Sequence, residues 1–184
     1  MHKPDIVDRI RAHWAEEKGE WDTSPIDVWD RIVLLARHYD ELLTKVVSTY
    51  DVSIGGLDVL ATLRRSGKPY CLTPTDLRHE LLLSSGAMTN RLDRLEEKRL
   101  ILRTPNPDDR RGYKINLTPE GLTMVENALE AQYEEGRRLL SKLGEKEESH
   151  LVSLLRELQT SLDEEDSRIN RQRNEASQNL DDDS

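Results

Sequence analysis

Apolar residues recur at intervals of three and four along most of the chain, which is the spacing of amphipathic helices. The pattern predicts helices over about 4–18, 24–50 and 54–66. From residue 118 onward, Leu-rich positions predict a long helical segment that is broken near Gly144. The chain is therefore predicted to be mainly α-helical.

Local signals predict where these helices start. Ile6, Ile10 and Trp14 form one narrow apolar stripe on the first helix. Ser24 is expected to cap the second helix, with Pro25 at its first position, and the segment ending in Ser53 is expected to cap the third.

The pattern changes in the middle of the chain, where helical spacing gives way to two short alternating segments. The predicted order is a short helix from Thr73, a tight connection at 81–85, a helix reaching about Arg99, and strands at Ile101–Thr104 and Tyr113–Leu117. Turn residues between the two strands predict a hairpin loop over Pro105–Gly112. Helix, turn, helix and hairpin is the order of a winged helix-turn-helix.

Charge is distributed unevenly around this segment. The net charge is −9, which taken alone argues against a nucleic-acid partner. Residues 64–117, however, hold 12 Lys or Arg against 7 Asp or Glu, a net of +5, whereas the remainder holds 15 against 29. A basic middle on an acidic body suits one DNA-facing surface, although random clustering would give a similar count.

The second helix of the pair has two distinct faces. On a helical wheel Met88, Leu92 and Leu95 lie together on the core side, whereas Asn90 and Arg94 point away from it. Polar groups on such a face can read base edges in the major groove, and arginines on the hairpin suit phosphates or the minor groove. The predicted DNA-binding residues are Ser84, Ser85, Thr89, Asn90, Arg94, Arg110 and Arg111.

Three segments together resemble the MarR family of bacterial regulators. They are Ser85–Glu96, Pro107–Gly112 and Leu117–Gly121, in the order and at the spacing that the family has. The resemblance covers about residues 24–160. It implies a winged helix-turn-helix fold with N- and C-terminal dimerisation helices, a cytoplasmic homodimer, a pseudo-palindromic double-stranded DNA site and a repressor role.

A narrower resemblance, to the urate-responsive, PecS-like branch of that family, rests on the extra N-terminal helix, Asp58–Arg65 and Ser85–Arg94. It implies that Trp14, Asp58 and Arg91 bind a small anionic aromatic or purine-like effector such as urate. The segment Gly19–Asp22 differs from the sequence that is usual in this branch. A plain structural salt bridge, with Trp14 as core filler, is the competing interpretation.

Other chemistries have weaker support. His38 and Glu41 share a helix face, but the five histidines lack metal-site spacing, so no metal or cofactor is expected. No nucleophile motif or phosphate loop indicates an enzyme. The single cysteine, Cys71, leaves open a redox-responsive regulator, and the acidic composition leaves open a helical interaction module without DNA binding. No membrane-length apolar run is present.

The predicted organisation has five parts. They are an extra N-terminal helix at 1–23, a helical dimerisation and linking segment at 24–66, a DNA-binding lobe at 67–117, C-terminal dimerisation helices at 118–163, and an acidic disordered tail at 164–184.

Overall fold

The computed structural model describes the backbone of residues 3–107 and 109–182, and the side chains of these residues except Arg110, Arg111 and 174–182. The elements in chain order are α1 Ile6–Glu17, α2 Ile26–Ser48, α3 Ile54–Arg65, β1 Cys71–Leu72, α4 Pro74–Leu81, α5 Ser85–Glu97, β2 Ile101–Asn106, β3 Asp109–Leu117, α6 Pro119–Leu140 and α7 Glu145–Asp182. The architecture is mainly α with a small antiparallel β-wing, as the sequence predicted. The chain divides into two compact units, Met1–Tyr133 and Glu134–Ser184.

The sheet of the first unit has three strands in the order β1-β3-β2, all antiparallel. The sequence predicted β2 and β3 but missed β1, in which Cys71 pairs with Asn116 and Leu72 with Ile115. A two-residue strand is too short to show the alternation by which strands are recognised. The wing strands also run further than predicted, so that Asn106 lies opposite Asp109.

One apolar core joins α3, α4, α5, the wing and α6. Its largest fully buried side chains include Leu60, Leu63, Leu77, Met88, Leu92, Ile101, Ile115 and Val125. Because α5 contributes Met88 and Leu92 to this core, the helix cannot rotate about its axis without exposing them. The core therefore fixes which face of α5 points to solvent.

Gly121 allows an unusually close contact between α6 and the segment before the wing. A Cβ atom at this position would lie 2.0 Å from the backbone oxygen of Leu100. The same oxygen accepts a hydrogen bond from the backbone N–H of Thr118 at 3.1 Å. The first turn of α6 thus lies directly against the backbone that leads into β2.

The most buried residue of α1 is not part of the apolar stripe that the sequence predicted. Val7 is fully buried, whereas Ile6 and Trp14 of the predicted stripe remain exposed. The guanidinium of Arg31 on α2 donates to the carboxylates of Asp5 and Asp8 at 2.7–3.2 Å and fixes the start of α1.

Ser24 does not cap α2, contrary to the prediction. The helix begins at Ile26 after Pro25, and the N–H of Ser24 instead donates to Asp22 at 2.9 Å. The predicted cap at Ser53 is confirmed, because its hydroxyl accepts from the N–H of Gly56.

In the second unit, α7 extends to Asp182 and differs from the disordered tail predicted for 164–184. This stretch contains neither Gly nor Pro and is rich in good helix formers. Its side chains also pair along the helix: Arg168 forms an ion pair with Glu165, and the Asn170 amide donates a hydrogen bond to Asp166. The predicted break near Gly144 is present, since α6 ends at Leu140 and α7 begins at Glu145.

Candidate nucleic-acid interface

The turn between α4 and α5 sets the angle of the helix pair. Helix α4 starts with a capping box in which the Thr73 hydroxyl accepts from Asp76 N–H and the Asp76 carboxylate accepts from Thr73 N–H. It ends at Leu81 and is followed by the C-cap residue Leu82, which adopts a left-handed conformation with φ 52°. Ser84 then caps α5 by accepting from the N–H of Ala87.

The solvent face of α5 presents the predicted reading residues together. Ser85, Thr89, Asn90 and Arg94 line one open groove of about 600 Å³. The predicted Ser84 lies at the end of this helix as its cap, and all five residues are exposed. Short hydroxyl and amide groups followed by a guanidinium can donate to and accept from base edges.

Asp93 and Glu97 line the same groove and were missed at the sequence level. Asp93 lies one helical turn after Asn90, as Glu97 does after Arg94. This spacing could have predicted that both carboxylates share the face of Asn90 and Arg94. Two carboxylates beside the predicted DNA-binding residues would repel phosphate groups unless their charge were compensated.

Arg103 on β2 compensates one of these charges and ties the wing to α5. Its guanidinium donates to Asp93 at 2.6 Å and to Glu96 at 2.5 Å. The same group lies over the ring of Tyr113, 5.4 Å from the centroid. The wing is thereby held in a fixed orientation relative to the reading face.

The predicted wing arginines are only partly described. Arg110 and Arg111 belong to β3 by their backbone, and their side chains lie outside the described residues.

Two of the three predicted ligand residues meet at the junction of α3 and α5. Arg91 donates to the backbone oxygen of Gly55 at 3.2 Å, and its Nη1 atom lies 4.0 Å from the Asp58 carboxylate. Partial burial raises the pKa of Asp58, and Asp40 adds to this shift while Arg91 opposes it. The Arg91 side chain is 31% exposed, so an incoming anion can reach it.

Arg91 also lines a cavity of about 360 Å³ between the start of α3 and α5. Asn90, Arg94 and Lys98 contribute polar and cationic groups, and Val52, Leu95 and Gly56 belong to its less polar part. Lys98 is paired with Asp51 at 2.6 Å.

Trp14, the third predicted ligand residue, lies elsewhere. Its ring stacks on Trp21 with a centroid distance of 5.4 Å. The cleft that it lines contains neither Asp58 nor Arg91 among its described residues.

The remaining candidates stay apart from this surface. Cys71 is a half-buried free thiol in β1. Among the described residues, no group of three or more His, Cys, Asp or Glu is arranged to hold a metal ion. Nor does the described part of the chain contain a helix that is long and apolar enough to span a membrane.

Comparison with known proteins identifies the family. The MarR family profile matches residues 50–112, which run from just after α2 into the wing. The regulator PecS of Dickeya dadantii (strain 3937) is 36% identical over 149 residues, covering 81% of this chain and 90% of its own length. This chain belongs to the MarR family.

Other MarR proteins agree with this assignment. The multiple antibiotic resistance protein MarR of Salmonella typhimurium is 36% identical over 110 residues, or 56% of this chain and 74% of that protein. The apo crystal structure of E. coli MarR is 30% identical, with a TM-score of 0.62 over 71% of this chain and 95% of that one. The chain is thus a winged-helix transcriptional regulator rather than an enzyme.

One solved MarR structure contains DNA. A Cys-to-Ser variant of E. coli MarR in complex with operator DNA is 27% identical to this chain, with a TM-score of 0.63. The superposition covers 84% of this chain and 99% of the E. coli chain.

Proposed function

We propose that this MarR-family regulator binds pseudo-palindromic operator DNA as a homodimer and represses transcription until a small anionic ligand releases it. The observation that carries the DNA-binding part is the groove on α5, where Ser85, Thr89, Asn90 and Arg94 face solvent together. The net +5 charge of residues 64–117 and the operator complex of E. coli MarR support the same conclusion.

The test of DNA binding is a fluorescence-anisotropy titration with the duplex upstream of the protein's own gene and with a random duplex of equal length. Affinity should fall steeply between low and high salt, because Lys and Arg displace counterions from the phosphates. Equal affinity at both salt concentrations would contradict the proposal.

Two arginine variants distinguish recognition of DNA bases from contacts that do not depend on the DNA sequence. Arg94→Ala should lose about 1–3 kcal/mol on the operator and much less on random DNA. Arg111→Ala should weaken both duplexes alike, because a wing residue contacts backbone or minor groove. Arg168→Ala is the matched control, since this arginine pairs with Glu165 on α7. An equal loss on both duplexes for Arg94→Ala would refute its reading role.

Dimer formation is proposed from the apolar face of α7. The exposed side chains on this helix include Leu151, Leu154, Leu155 and Leu162. Such a stripe is too apolar to remain exposed on a monomer. Removal of 140–184 should abolish the dimer, whereas removal of 168–184 should leave it intact. Sedimentation velocity of both truncations decides this, and a dimer that survives the longer deletion would contradict the assignment.

The effector part of the proposal depends on Arg91 and Asp58. Arg91 offers an accessible guanidinium beside a cavity. Partial burial already disfavours the charged form of Asp58. An anion bound to Arg91 would repel Asp58 and compete for the guanidinium. Arg91 lies on α5 together with Asn90 and Arg94. A displacement of Arg91 by the ligand should therefore change how these two side chains face the DNA.

Urate is the first candidate effector. A urate titration of the protein–DNA complex should release DNA from the wild type and less effectively from Asp58→Asn, whereas Trp14→Ala, whose ring lies in a separate cleft, should respond like the wild type. An equal response of all three proteins would place the ligand elsewhere. A complete lack of response would exclude urate as the effector and would leave the DNA-binding proposal unaffected.

A further inference from the structure

The segment Gly19–Asp22 forms a surface that DNA binding does not use. It follows α1 and brings Trp21 onto Trp14, so that two stacked indoles stand beside the carboxylates of Glu20 and Asp22. The indoles remain substantially open, with Trp14 40% and Trp21 55% exposed. Stacked aromatic rings are normally buried, so their exposure at this position needs an explanation.

These residues line an open cleft of about 600 Å³, a size comparable with that of small-molecule sites. Its described lining consists of Trp14, Glu20, Trp21, Asp22, Thr23, Pro25 and Ile26. The described lining thus contains two carboxylates, two indoles and no Lys or Arg. The two carboxylates of the lining would repel an anion, whereas a cation with an apolar body would meet complementary groups.

The cleft also remains negatively charged. The carboxylate of Asp22 accepts from the N–H of Ser24 at 2.9 Å, and this bond lowers the pKa of Asp22.

The protein itself places a cation on one of the two rings. The ammonium of Lys18 lies 5.9 Å from the centroid of Trp21, within the range of a cation–π contact. This ring is therefore already used as a cation acceptor, and Lys18 is not among the residues that line the cleft.

From this arrangement we infer that the Trp14–Trp21 cleft is a binding site for a small organic cation with a flat apolar body. The indole faces take the apolar body, and Glu20 and Asp22 face its charge. The site lies apart from Arg91 and Asp58, and its ligand has the opposite charge to the proposed effector. This inference does not depend on that effector.

Three ligands of one shape test the charge preference at pH 8. They are N-methylquinolinium, the neutral quinoline, and quinoline-2-carboxylate. Each is titrated into the full chain without DNA, followed by the indole N–H signals in nitrogen-labelled protein. The cation should shift the signals of Trp14 and Trp21 with saturation and leave Trp29 unchanged. Neither the neutral nor the anionic compound should saturate these signals.

Two double variants, each of which removes two negative charges, test whether the carboxylates of the cleft bind the cation. Glu20→Gln with Asp22→Asn should weaken binding of the cation at least tenfold. Glu16→Gln with Glu17→Gln, which changes two exposed carboxylates of α1 outside the cleft, should weaken it less than twofold.

Three results would overturn the inference. The first is equal binding of quinoline and its methylated cation, and the second is an equal loss in both double variants. The third is a set of Trp14 and Trp21 signals that respond to protein concentration but not to the cation, which would make the cleft an interface between copies of the chain. Retained binding in Asp58→Asn would separate this site from the proposed effector site.

Discussion

The guanidinium of Arg91 lies directly over the Cα atom of Gly55. A Cβ atom at Gly55 would be 2.5 Å from Cζ of Arg91, and the Gly55 carbonyl accepts a hydrogen bond from the same side chain. Gly55 therefore creates the space in which the arginine of the reading helix contacts the first turn of α3.

This relationship predicts how Gly55→Ala behaves. Alanine in place of glycine in a helix usually gains about 0.5–1 kcal/mol. In the wild-type background this gain should be largely cancelled, because the methyl group displaces Arg91 from its carbonyl partner. In an Arg91→Ala background the full gain should appear. Urea denaturation of the four proteins checks this, and the same gain in both backgrounds would exclude the contact.

Asp58→Asn should not destabilise the protein at neutral pH. Burial raises the pKa of Asp58, so the native state binds this proton more tightly than the unfolded state does. That contribution to stability is fully present below the unfolded pKa and is lost as the pH rises through the folded pKa. The asparagine variant should thus match the wild type at pH 3.5 and equal or slightly exceed it at pH 7.

The gain at pH 7 should stay below about 1 kcal/mol, because Asp58 is 51% exposed and solvent screens its charge. Unfolding in urea at the two pH values gives the comparison. A loss of stability at pH 7 would mean that attraction to Arg91 outweighs the burial of the carboxylate.

Thr73→Ala should remove the capping box of α4 and cost about 1 kcal/mol of unfolding free energy. The Thr73 hydroxyl, and then its backbone N–H, lower the pKa of Asp76. This contribution is present above the unfolded pKa of Asp76 and is lost as the pH falls through the folded value. The difference between the wild type and the variant should therefore narrow in acid, where the bond that the Thr73 hydroxyl accepts from Asp76 N–H remains.

Thr123→Ala serves as the control for this cap. The Thr123 hydroxyl donates to the Pro119 carbonyl within α6 and caps no helix N-terminus. Its replacement should change stability by less than about 0.5 kcal/mol at either pH. A Thr73→Ala variant that is no less stable than this control would contradict the capping role.

Arg103→Ala should loosen the wing. The substitution removes two ion pairs of a mostly buried guanidinium and its contact with Tyr113, at a cost of about 1–2 kcal/mol. Hydrogen exchange of the β2 and β3 amides should accelerate more than exchange in α3. The control Arg65→Ala breaks only an exposed pair with Glu80 and should cost less than about 0.5 kcal/mol.

The sequence predicted those parts of the molecule that local periodicity determines. Met88, Leu92 and Leu95 repeat at helical spacing, which determined the buried face of α5 and hence the solvent face with Asn90 and Arg94. The same applies to the cap at Ser53 and to the break near Gly144. In each case the signal lies within a few residues of the feature.

Features that depend on contacts between distant segments could not be predicted in this way. Strand β1 exists because Cys71 and Leu72 meet the edge of β3, more than forty residues later. The pairing of Arg103 with Asp93 depends on the angle between wing and helix. Likewise Trp14 fits the expected apolar stripe of α1, and only the course of the following turn shows that its partner is Trp21.

The contact at Gly121 has a mechanical consequence for the wing. Since the backbone of α6 touches the oxygen of Leu100 with no side chain between them, no deformable layer separates the two segments. Packed backbone transmits displacement with little loss, whereas side chains absorb it by changing rotamer. The start of α6 and the root of β2 are therefore expected to move together, because no side-chain rotation can take up a displacement between them.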